Sequence, residues 1–495
     1  MISKNLLNKQ IKTGIDLFEK NKFEEAIQIF NKLEKEKDNE IKIIGLFFLG
    51  IIETKKKNNK SAKEFFLKTL NINEDHEEAN LNIGSLLIQE KNFEKSLYYF
   101  EKVLRNNEKN LTALYHSGLV NFKLKKFDES IEFLNKCKGV NENFIHSYIL
   151  LGHIYLRIKE FDKAIDNYKK VLNINPKRIS TRFNLSWCYF AKLELDKAFE
   201  NYEFRKERIE PKKRYKEVKD KYGDIEWMGQ NLNNKKILII SEQGYGDNIN
   251  FFRYLFWLNE KFETKIIFYS QKKIGHLFQN TPFQIISSLS SIGKIDYYKQ
   301  LLSLPSLYYK ENKSFQKNIS YIKSNPILDL KWQKKLDHLK KPIIAINWQG
   351  DNTYAHDDTR SIPLSCYKDI ISNNKFDFIS LQKNFGSEQI QLNNFENLLL
   401  NLSNEIDLTN NAFEDTISIF KKINCFITSD TALAHLAGTM NVKTYLMLSY
   451  NPEWRWYIEK RYKCFYPNMK IFQQKTFGDW KTIFHELNLE LNKIY

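Results

Sequence analysis

Small residues recur at a fixed interval of 34 residues through the first two fifths of the chain. In each period two positions hold a small residue, and a third position, four residues after the second, holds a large apolar one. The first series is Gly50, Gly84, Gly118, Gly152 and Ser186, the second is Ala62, Ser96, Ser130, Ala164 and Ala198, and the third is Phe66, Phe100, Leu134, Tyr168 and Tyr202. Small residues let two helices approach closely, and a bulky residue fills the gap between units. The period therefore predicts a stack of helix pairs.

The units of this repeat can be counted along the chain. Five units stand in strict register, starting near Ile43, Glu77, Leu111, Ile145 and Ile179, and a degenerate unit with Gly14, Ala26 and Phe30 precedes them. The period and the pattern resemble the tetratricopeptide repeat. The resemblance implies a solenoid over residues 7–212 whose concave groove binds a peptide or partner protein. A purely structural arm or a dimerisation surface is the alternative.

Composition and charge narrow the class of protein. Of the 495 residues, 42% are hydrophobic and 28% are charged, which is ordinary for a globular protein in water. The net charge of +17 is spread over a long chain and does not indicate a specific nucleic-acid partner. The longest apolar run, residues 43–52, is about half the length of a membrane helix, and no signal-peptide core follows Met1. The five cysteines are widely spaced. We therefore expect a cytoplasmic protein without a transmembrane segment.

A basic segment, which we place at residues 213–234, separates the repeats from the rest of the chain. Residues 205–221 carry nine basic and four acidic side chains. Their alternation favours a solvated helical extension, and a patch that binds phosphate or a membrane surface is the alternative.

From Lys235 onward the apolar pattern changes to short continuous runs, which are typical of buried parallel strands. One series has runs at residues 237–240, 266–269 and 284–287 and a segment near Ile295, with a helix from Asn248 to about Leu258 and a polar helix at 331–340. A second series has runs at 343–346, 376–380, 425–428 and 444–448. The alternation predicts two Rossmann-like α/β halves, residues 235–340 and 341–495, with a ligand cleft at the carboxyl ends of their strands.

Three loops that follow predicted strands carry candidate site residues. The first contains Gly244, Gly246 and Asp247 at the start of a helix, where glycines permit close backbone approach and free N–H groups attract an anion. The third glycine of a dinucleotide fingerprint and the Gly-Lys-Ser/Thr of a P-loop are both missing. Asp247 is either a helix N-cap or a carboxylate at the edge of the cleft.

The second loop follows the first strand of the second half. It contains Trp348 and Gly350 and then a polar stretch with His356, Asp357, Asp358 and Arg360. Arginine suits a phosphate because its planar fork binds two oxygens. Adjacent carboxylates point apart in an extended segment and no further ligand cluster is evident, so we expect no metal.

The third loop contains Ser429, Asp430 and Thr431, where a strand runs into a helix, and His435 lies one turn into that helix. Hydroxyls and free N–H groups at such a position predict an anion site. His435 is either a packed histidine or a ligand contact. We do not expect a serine hydrolase, because no Gly-x-Ser-x-Gly elbow occurs.

Together these segments resemble glycosyltransferase family 9, which includes the ADP-heptose:lipopolysaccharide heptosyltransferases. The resemblance rests on Gly-Tyr-Gly-Asp-Asn at 244–248, on Trp-Gln-Gly at 348–350 with Asp-Thr-Arg-Ser-Ile-Pro-Leu at 358–364, and on Thr-Ser-Asp-Thr-Ala-Leu-Ala-His-Leu-Ala-Gly at 428–438. The order of parts is similar to that of bacterial tetratricopeptide-repeat proteins with a C-terminal transferase domain of this kind.

This resemblance implies a GT-B fold and metal-independent, inverting sugar transfer from a nucleotide-sugar donor held mainly by the C-terminal half, with the acceptor on the N-terminal half. Asp247 would be the general base on the acceptor hydroxyl. The leaving phosphate would be neutralised by Arg360 and the helix start from Thr431 to His435, and Asp430 would contact donor hydroxyls. Gly244, Gly246 and Ser429 complete the donor side. Trp348, Gly350 and Trp454 are candidate nucleotide contacts, although Trp454 and Trp456 are equally a core pair.

Two functions of different classes stay open on the sequence alone. The first is a glycosyltransferase without a cofactor, whose protein, peptide or cell-envelope glycan acceptor is presented with help of the solenoid. The second is a repeat scaffold whose transferase-like domain is inactive or senses a ligand. Joint presence of Asp247, Arg360 and Asp430 favours the enzyme.

Overall fold

The computed structural model describes residues 4–207, 209–354 and 357–494. Contacts divide the chain into two compact units. One consists of Met1–Tyr155 with Lys163–Pro176, and the other consists of Leu156–Asp162 with Lys177–Tyr495. The predicted division into a solenoid, a linker and two halves stays a prediction.

Helices follow one another in pairs up to Tyr202. They are α1 (Lys4–Glu19), α2 (Phe23–Leu33), α3 (Asn39–Lys55), α4 (Asn59–Ile72), α5 (Glu77–Gln89), α6 (Phe93–Asn106), α7 (Leu111–Lys123), α8 (Phe127–Val140), α9 (Ile145–Arg157), α10 (Phe161–Ile174), α11 (Ile179–Ala191) and α12 (Leu195–Tyr202). Four predicted unit starts coincide with the first residues of α5, α7, α9 and α11. The other unit begins at Asn39 rather than Ile43, because the carboxylate of Asp38 caps α3 by accepting from the Glu40 N–H.

The recurring small and large residues pack against each other inside one helix pair. A Cβ placed on Gly84 would lie 2.6 Å from the Phe100 ring, so only glycine leaves room for that ring. Ser96 donates a hydrogen bond of 2.7 Å to the Gly84 carbonyl, which ties the two helices together at the same level. The Phe100 ring also stacks on His116 of the next pair, with centroids 5.2 Å apart. The bulky residue therefore fills space within a unit as well as between units.

Each of the six turns inside these helix pairs contains a residue in the left-handed region. These residues are Asn21, Lys57, Lys91, Lys125, Lys159 and Leu193, with φ between 57° and 65°. Glycine adopts this conformation without steric cost, whereas a lysine does not. The turn geometry is therefore imposed by the packed helices and not by the local sequence.

The first parallel sheet follows a further helix. The elements are α13 (Ile209–Tyr222), β1 (Lys236–Ile240), α14 (Tyr245–Phe251), α15 (Tyr254–Lys261), β2 (Lys265–Tyr269), β3 (Gln284–Ile286), β4 (Tyr297–Gln300), α16 (Leu304–Asn312) and α17 (Pro326–Leu336). The strand order is β3-β2-β1-β4, and all pairs are parallel. The helix predicted from Asn248 to Leu258 is two helices, since the first ends before Phe252 and the second begins at Tyr254.

The second parallel sheet contains six strands. The elements are β5 (Ile343–Asn347), α18 (Asp357–Arg360), α19 (Lys368–Ile371), β6 (Asp377–Ser380), α20 (Gln389–Leu392), β7 (Leu399–Asn401), α21 (Glu414–Phe420), β8 (Cys425–Ser429), α22 (Ala432–Thr439), β9 (Thr444–Leu448), α23 (Trp454–Tyr462), β10 (Met469–Gln473) and α24 (Trp480–Ile494). The strand order is β10-β9-β8-β5-β6-β7, and all pairs are parallel. Short 3-10 helices lie at Glu203–Glu207, Lys272–Phe278, Leu289–Ser291, Leu301–Ser303 and Leu364–Tyr367. Parallel sheets with helices are thus the architecture of this region.

The described parts of the basic segment, residues 205–207 and 209–221, are helical, as predicted, but the prediction that the segment is solvated is wrong for Arg205, and Arg214 is half-buried. Arg205 is fully buried, and its guanidinium donates to both carboxylate oxygens of Glu242, at 3.1 and 2.8 Å. Arg214 lies over the Tyr269 ring at 4.2 Å and donates to the Ser270 carbonyl at 3.0 Å. A buried, bidentate arginine–carboxylate pair is a structural tie and not a surface patch.

Among the described residues, no helix combines the length and apolar character that crossing a membrane requires. All five cysteines are free thiols. The cytoplasmic location stays a prediction.

Candidate functional site

Loops from both sheets bring charged side chains together at the carboxyl ends of their strands. Asp247 lies in the first turn of α14, which follows β1. Arg360 lies in the segment after β5, Asp430 directly after β8, and Glu453 and Arg455 after β9. Arg455 donates to the carboxylates of both Asp247 and Glu453, and Arg360 donates to the Asp430 carbonyl at 3.3 Å. We call these five residues the charged cluster. It occupies the place where open parallel sheets bind their ligands.

Asp247 stands at the third position of α14 and not at its N-cap. One carboxylate oxygen accepts from the Gly244 N–H at 3.1 Å, and the other accepts from Arg455. The side chain is 14% exposed. Burial raises the pKa of Asp247, while the Arg455 charge acts in the opposite direction and Glu453 raises that pKa further. The N-cap of α14 is Gly244, so the N-cap interpretation of Asp247 is wrong. Its carboxylate still stabilises the helix start by accepting from the Gly244 N–H, and it also carries charge at the strand ends.

Arg455 is a central member of the cluster that sequence reasoning missed. It is 6% exposed and lies between two buried tryptophans, Trp454 and Trp456. Glu453, its second carboxylate partner, also accepts a hydrogen bond of 3.0 Å from the Tyr354 hydroxyl. The sequence does contain a signal for Arg455, because an arginine stands between two tryptophans just after a strand. A charge that is buried at such a place needs a partner.

Asp430 is 7% exposed at the end of β8. Burial raises the pKa of Asp430 to about 6, and the nearby Glu453 carboxylate adds to the increase. Three carboxylates thus share two arginines in a poorly hydrated site. Carboxylates with raised pKa values, such as Asp247 and Asp430, concentrate at functional sites, and structural ion-pair networks also produce them.

Besides the Asp430 carbonyl, three neighbours hold Arg360 in place. It donates to the Asp357 carboxylate at 3.0 Å and to the Asp351 carbonyl at 3.4 Å, and its guanidinium lies 4.5 Å from the Tyr354 ring centroid. A Cβ on Gly350 would lie 2.5 Å from this guanidinium. Gly350 therefore makes room for the arginine, and the structure gives it no other role. The side chain of Arg360 remains 21% exposed, so an anion can reach it.

The start of α22 carries the remaining residues of the third loop. Thr431 is its N-cap, and the Thr431 hydroxyl donates to Asn347 at 3.2 Å. Ser429 is fully buried, and its hydroxyl has no hydrogen-bond partner among the described residues. A neighbouring hydroxyl and a free helix start keep the anion-site prediction open here.

His435 and Gly246 form a packing contact between two helices. His435 is 3% exposed, shares a hydrogen bond of 2.9 Å with the Tyr466 hydroxyl, and stacks on Trp456 with centroids 5.1 Å apart. Burial lowers the pKa of His435 well below its usual value. A Cβ on Gly246 would lie 2.8 Å from the His435 ring and 3.2 Å from the Ala432 Cα. In this structure His435 is a packed histidine, and Gly246 permits α14 to approach α22.

Two tryptophans expected at a nucleotide lie in the protein interior. Trp348 is fully buried and donates from its indole to the Gly386 carbonyl at 3.2 Å. Trp454 is 2% exposed and stacks between Phe190, at 4.2 Å, and Phe251, at 5.6 Å. Both indoles are core side chains here, so the interpretation of Trp454 as core describes the structure and the nucleotide-stacking interpretation does not.

The metal interpretation gains no support from geometry. Asp357 accepts from Arg360 and from the Ser361 hydroxyl, at 3.0 and 2.8 Å. His356 lies outside the described residues. Within the ranges that the structure describes, no group of three or more His, Cys, Asp or Glu side chains could hold an ion.

Comparison with known families identifies the repeats. Residues 77–110 and 111–144 match one family profile described as tetratricopeptide repeat, and residues 147–178 match another with the same description. Residues 77–144 and 147–178 are tetratricopeptide repeats. The repeats support a helical solenoid that serves as an interaction scaffold.

One curated relative and several solved structures match part of the chain. The chain is 19% identical over 285 residues to Protein FlbA of Caulobacter vibrioides, a match that covers 52% of this chain and 46% of FlbA. The chain thus spans about half the length of that curated relative. Among solved structures, MamA is 22% identical over 36% of this chain and 94% of its own, with a TM-score of 0.32. A tetratricopeptide repeat protein from Parabacteroides merdae is 19% identical over 41% of this chain and 80% of its own, with a TM-score of 0.37.

Proposed function

We propose that the chain is a glycosyltransferase that moves a sugar from a nucleotide-sugar donor to an acceptor bound with help of the tetratricopeptide repeats. The observation that carries the proposal is the charged cluster, where Asp247 of one parallel sheet meets Arg455, Glu453 and Asp430 of the other. Attack on a phosphate-linked sugar requires a base for the acceptor and positive charge for the leaving phosphate. Asp247 and the two arginines supply these groups at the carboxyl ends of parallel strands. A GT-B arrangement of halves 235–340 and 341–495 is part of the proposal.

In the proposed reaction, Asp247 accepts the proton of the acceptor hydroxyl as its oxygen bonds to the anomeric carbon of the donor. The bond from that carbon to the donor phosphate breaks, and the phosphate leaves with the electron pair. A raised pKa makes Asp247 a better base than an ordinary aspartate. Arg360 and Arg455 are placed to neutralise the leaving phosphate, since a guanidinium binds two oxygens at once. Because Arg455 also contacts Glu453, it keeps a partner when it releases Asp247.

The first test is a panel of nucleotide sugars and free nucleotides screened against the full-length protein by thermal shift and by donor hydrolysis. We expect one donor family to raise the melting temperature. Asp247→Asn should keep that shift and lower turnover by at least about 100-fold, because general base catalysis contributes about that much. The matched control is Asp479→Asn, because Asp479 caps α24 by accepting from Thr482 and lies outside the cluster. Normal turnover in Asp247→Asn would show that Asp247 is not the base.

One observation favours the alternative, a repeat scaffold with an inactive or ligand-sensing transferase-like domain. Both carboxylate oxygens of Asp247 are occupied by groups of the protein itself, Gly244 and Arg455. If no nucleotide or nucleotide sugar shifts the melting temperature, the alternative replaces the enzyme. Partner binding by the repeats should then be unchanged in Asp247→Asn.

A further inference from the structure

A groove of about 910 Å³ runs along the outer edge of β10. β10 is the terminal strand of the six-stranded sheet, pairs with β9 on one side, and has no strand on its other side among the described residues. All five β10 residues, Met469 to Gln473, line the groove. Glu459 and Lys460 of α23 and Glu486 of α24 also line the groove. The groove therefore follows a strand edge whose backbone N–H and C=O groups are available for pairing.

Basic side chains dominate the lining. Lys159, Lys460, Lys463, Lys470 and Lys475 face two glutamates, Glu459 and Glu486. The Glu459 carboxylate is already engaged, because it accepts from the N–H groups of Cys464 and Phe465 at 3.1 and 2.6 Å. Glu486 pairs with Lys475 at 2.8 Å, but both side chains are exposed, and such pairs contribute little. Lys470 pairs with Glu490 at 2.7 Å, so the positive surface of the groove comes mainly from Lys159, Lys460 and Lys463.

The lysines of α23 and of the adjoining turn make few competing contacts. Lys460 donates to the amide oxygen of Gln473 at 2.7 Å, and neither Lys460 nor Lys463 forms an ion pair with any described residue. Lys159 lies 3.8 Å above the Tyr450 ring. Burial lowers the pKa of Lys159, and the charge of Lys460 lowers it further, so two ammonium groups repel each other in this part of the groove. A negatively charged group between them would relieve that repulsion.

We propose that this groove binds an extended acidic polypeptide segment, which adds to β10 as a further strand. Backbone pairing along the edge supplies affinity, and the lysines that line the groove select acidic side chains. Lysines on an edge strand also guard against pairing with a copy of the same strand, because two such edges would bring like charges together. That function needs only Lys470 of β10 itself, whereas Lys460 and Lys463 add positive charge elsewhere along the groove. The proposal is independent of the proposed transferase activity.

The test uses a fluorescent eight-residue peptide of alternating Glu and Val, whose anisotropy is measured with full-length protein at increasing salt. We expect saturable binding that weakens as salt rises. The double variant Lys460→Ala/Lys463→Ala should weaken binding about fivefold or more, since two partly desolvated charge contacts are lost. The matched control is Lys323→Ala/Lys334→Ala, which removes two exposed lysines away from the groove.

Backbone pairing is tested by two further measurements. A peptide with methyl groups on alternate backbone nitrogens should lose binding. The amides of Ile471 and Gln473, which alternate with those facing β9, should gain protection from hydrogen exchange when the unmodified peptide binds. Equal weakening in both double variants would reduce the effect to net charge and overturn the proposal. So would undiminished binding of the methylated peptide, an absence of binding at millimolar peptide, or a dimer in sedimentation that pairs β10 with its own copy.

Discussion

Replacing Arg455 by methionine tests whether the charged cluster is a true ion-pair network. Arg455 is 7% exposed at its side chain and Asp247 is 14% exposed, so neither charge is well hydrated. Breaking a buried pair by removing one partner costs about 3–5 kcal/mol, because the other charge is left uncompensated. Asp247, Glu453 and Asp430 all lie near Arg455, but Glu453 retains 22% exposure and partial hydration. We therefore expect Arg455→Met to lower the free energy of unfolding by about 3 kcal/mol, the lower end of that range.

A double-mutant cycle with Asp247→Asn isolates the direct interaction. When Asp247 is already neutral, removal of Arg455 leaves fewer carboxylates without a partner. The free-energy cost of the double variant should therefore be smaller than the sum of the two single costs. We expect a coupling free energy of about 2 kcal/mol, within the range for residues in contact. Urea unfolding followed by tryptophan fluorescence is the suitable assay, since all eight tryptophans lie between residues 187 and 480, in the second compact unit. Additivity within about 0.5 kcal/mol would refute the ion pair.

Three further predictions concern other parts of the molecule. Since folding raises the pKa of Asp430 to about 6, the folded protein favours the protonated form of Asp430. The stabilising contribution of Asp430 is therefore complete below about pH 4 and is lost as the pH rises to about 6. Asp430→Asn should remove about 2–3 kcal/mol of the pH dependence of the unfolding free energy, as measured by urea titrations at pH 4 and pH 7. Gly84→Ala should lower the free energy of unfolding by about 1–3 kcal/mol, because the added Cβ overpacks the helix pair. Gly139→Ala should raise it by up to about 1 kcal/mol, because the added Cβ would meet no atom within 4 Å. Both changes can be measured by melting followed with circular dichroism. Arg205→Ala should lower the free energy of unfolding, measured by tryptophan fluorescence, by about 3 kcal/mol or more. The control is Lys216→Ala, which removes an exposed charge. If the two losses agree within about 0.5 kcal/mol, the buried role of Arg205 is contradicted.

The helical repeats could be predicted closely because their contacts are local. Gly84 and Phe100 are only 16 positions apart, and the same pairing recurs every period, so the sequence displays the contact several times over. The central strands were equally clear, since a strand buried on both faces reads as a continuous apolar run. β7 and β10 escaped because edge strands are short or carry charge: β7 has three residues, and β10 contains an exposed lysine.

The charged cluster could be predicted only in part. The positions of Asp247, Arg360 and Asp430 after strands were readable, because the carboxyl ends of parallel strands meet at one edge. Which side chains are buried was not readable. Arg205 looks like its solvated neighbours, and Trp454 looks like a stacking platform, until residues far along the chain are placed against them. Burial of these residues depends on Glu242 and Phe190 respectively, and no local pattern announces such partners.

The equivalent turns of the repeats have an evolutionary consequence. Lys57, Lys91 and Lys125 occupy the same left-handed position, one period apart, and each glycine meets its own bulky partner at the same spacing. Deletion of one 34-residue period would rejoin ends with the same conformation and the same neighbours. The number of repeats can therefore change by duplication or loss of whole units, because each new junction has the same spacing and turn conformation as an existing one. The charged cluster has no such freedom, because each of its members occurs once.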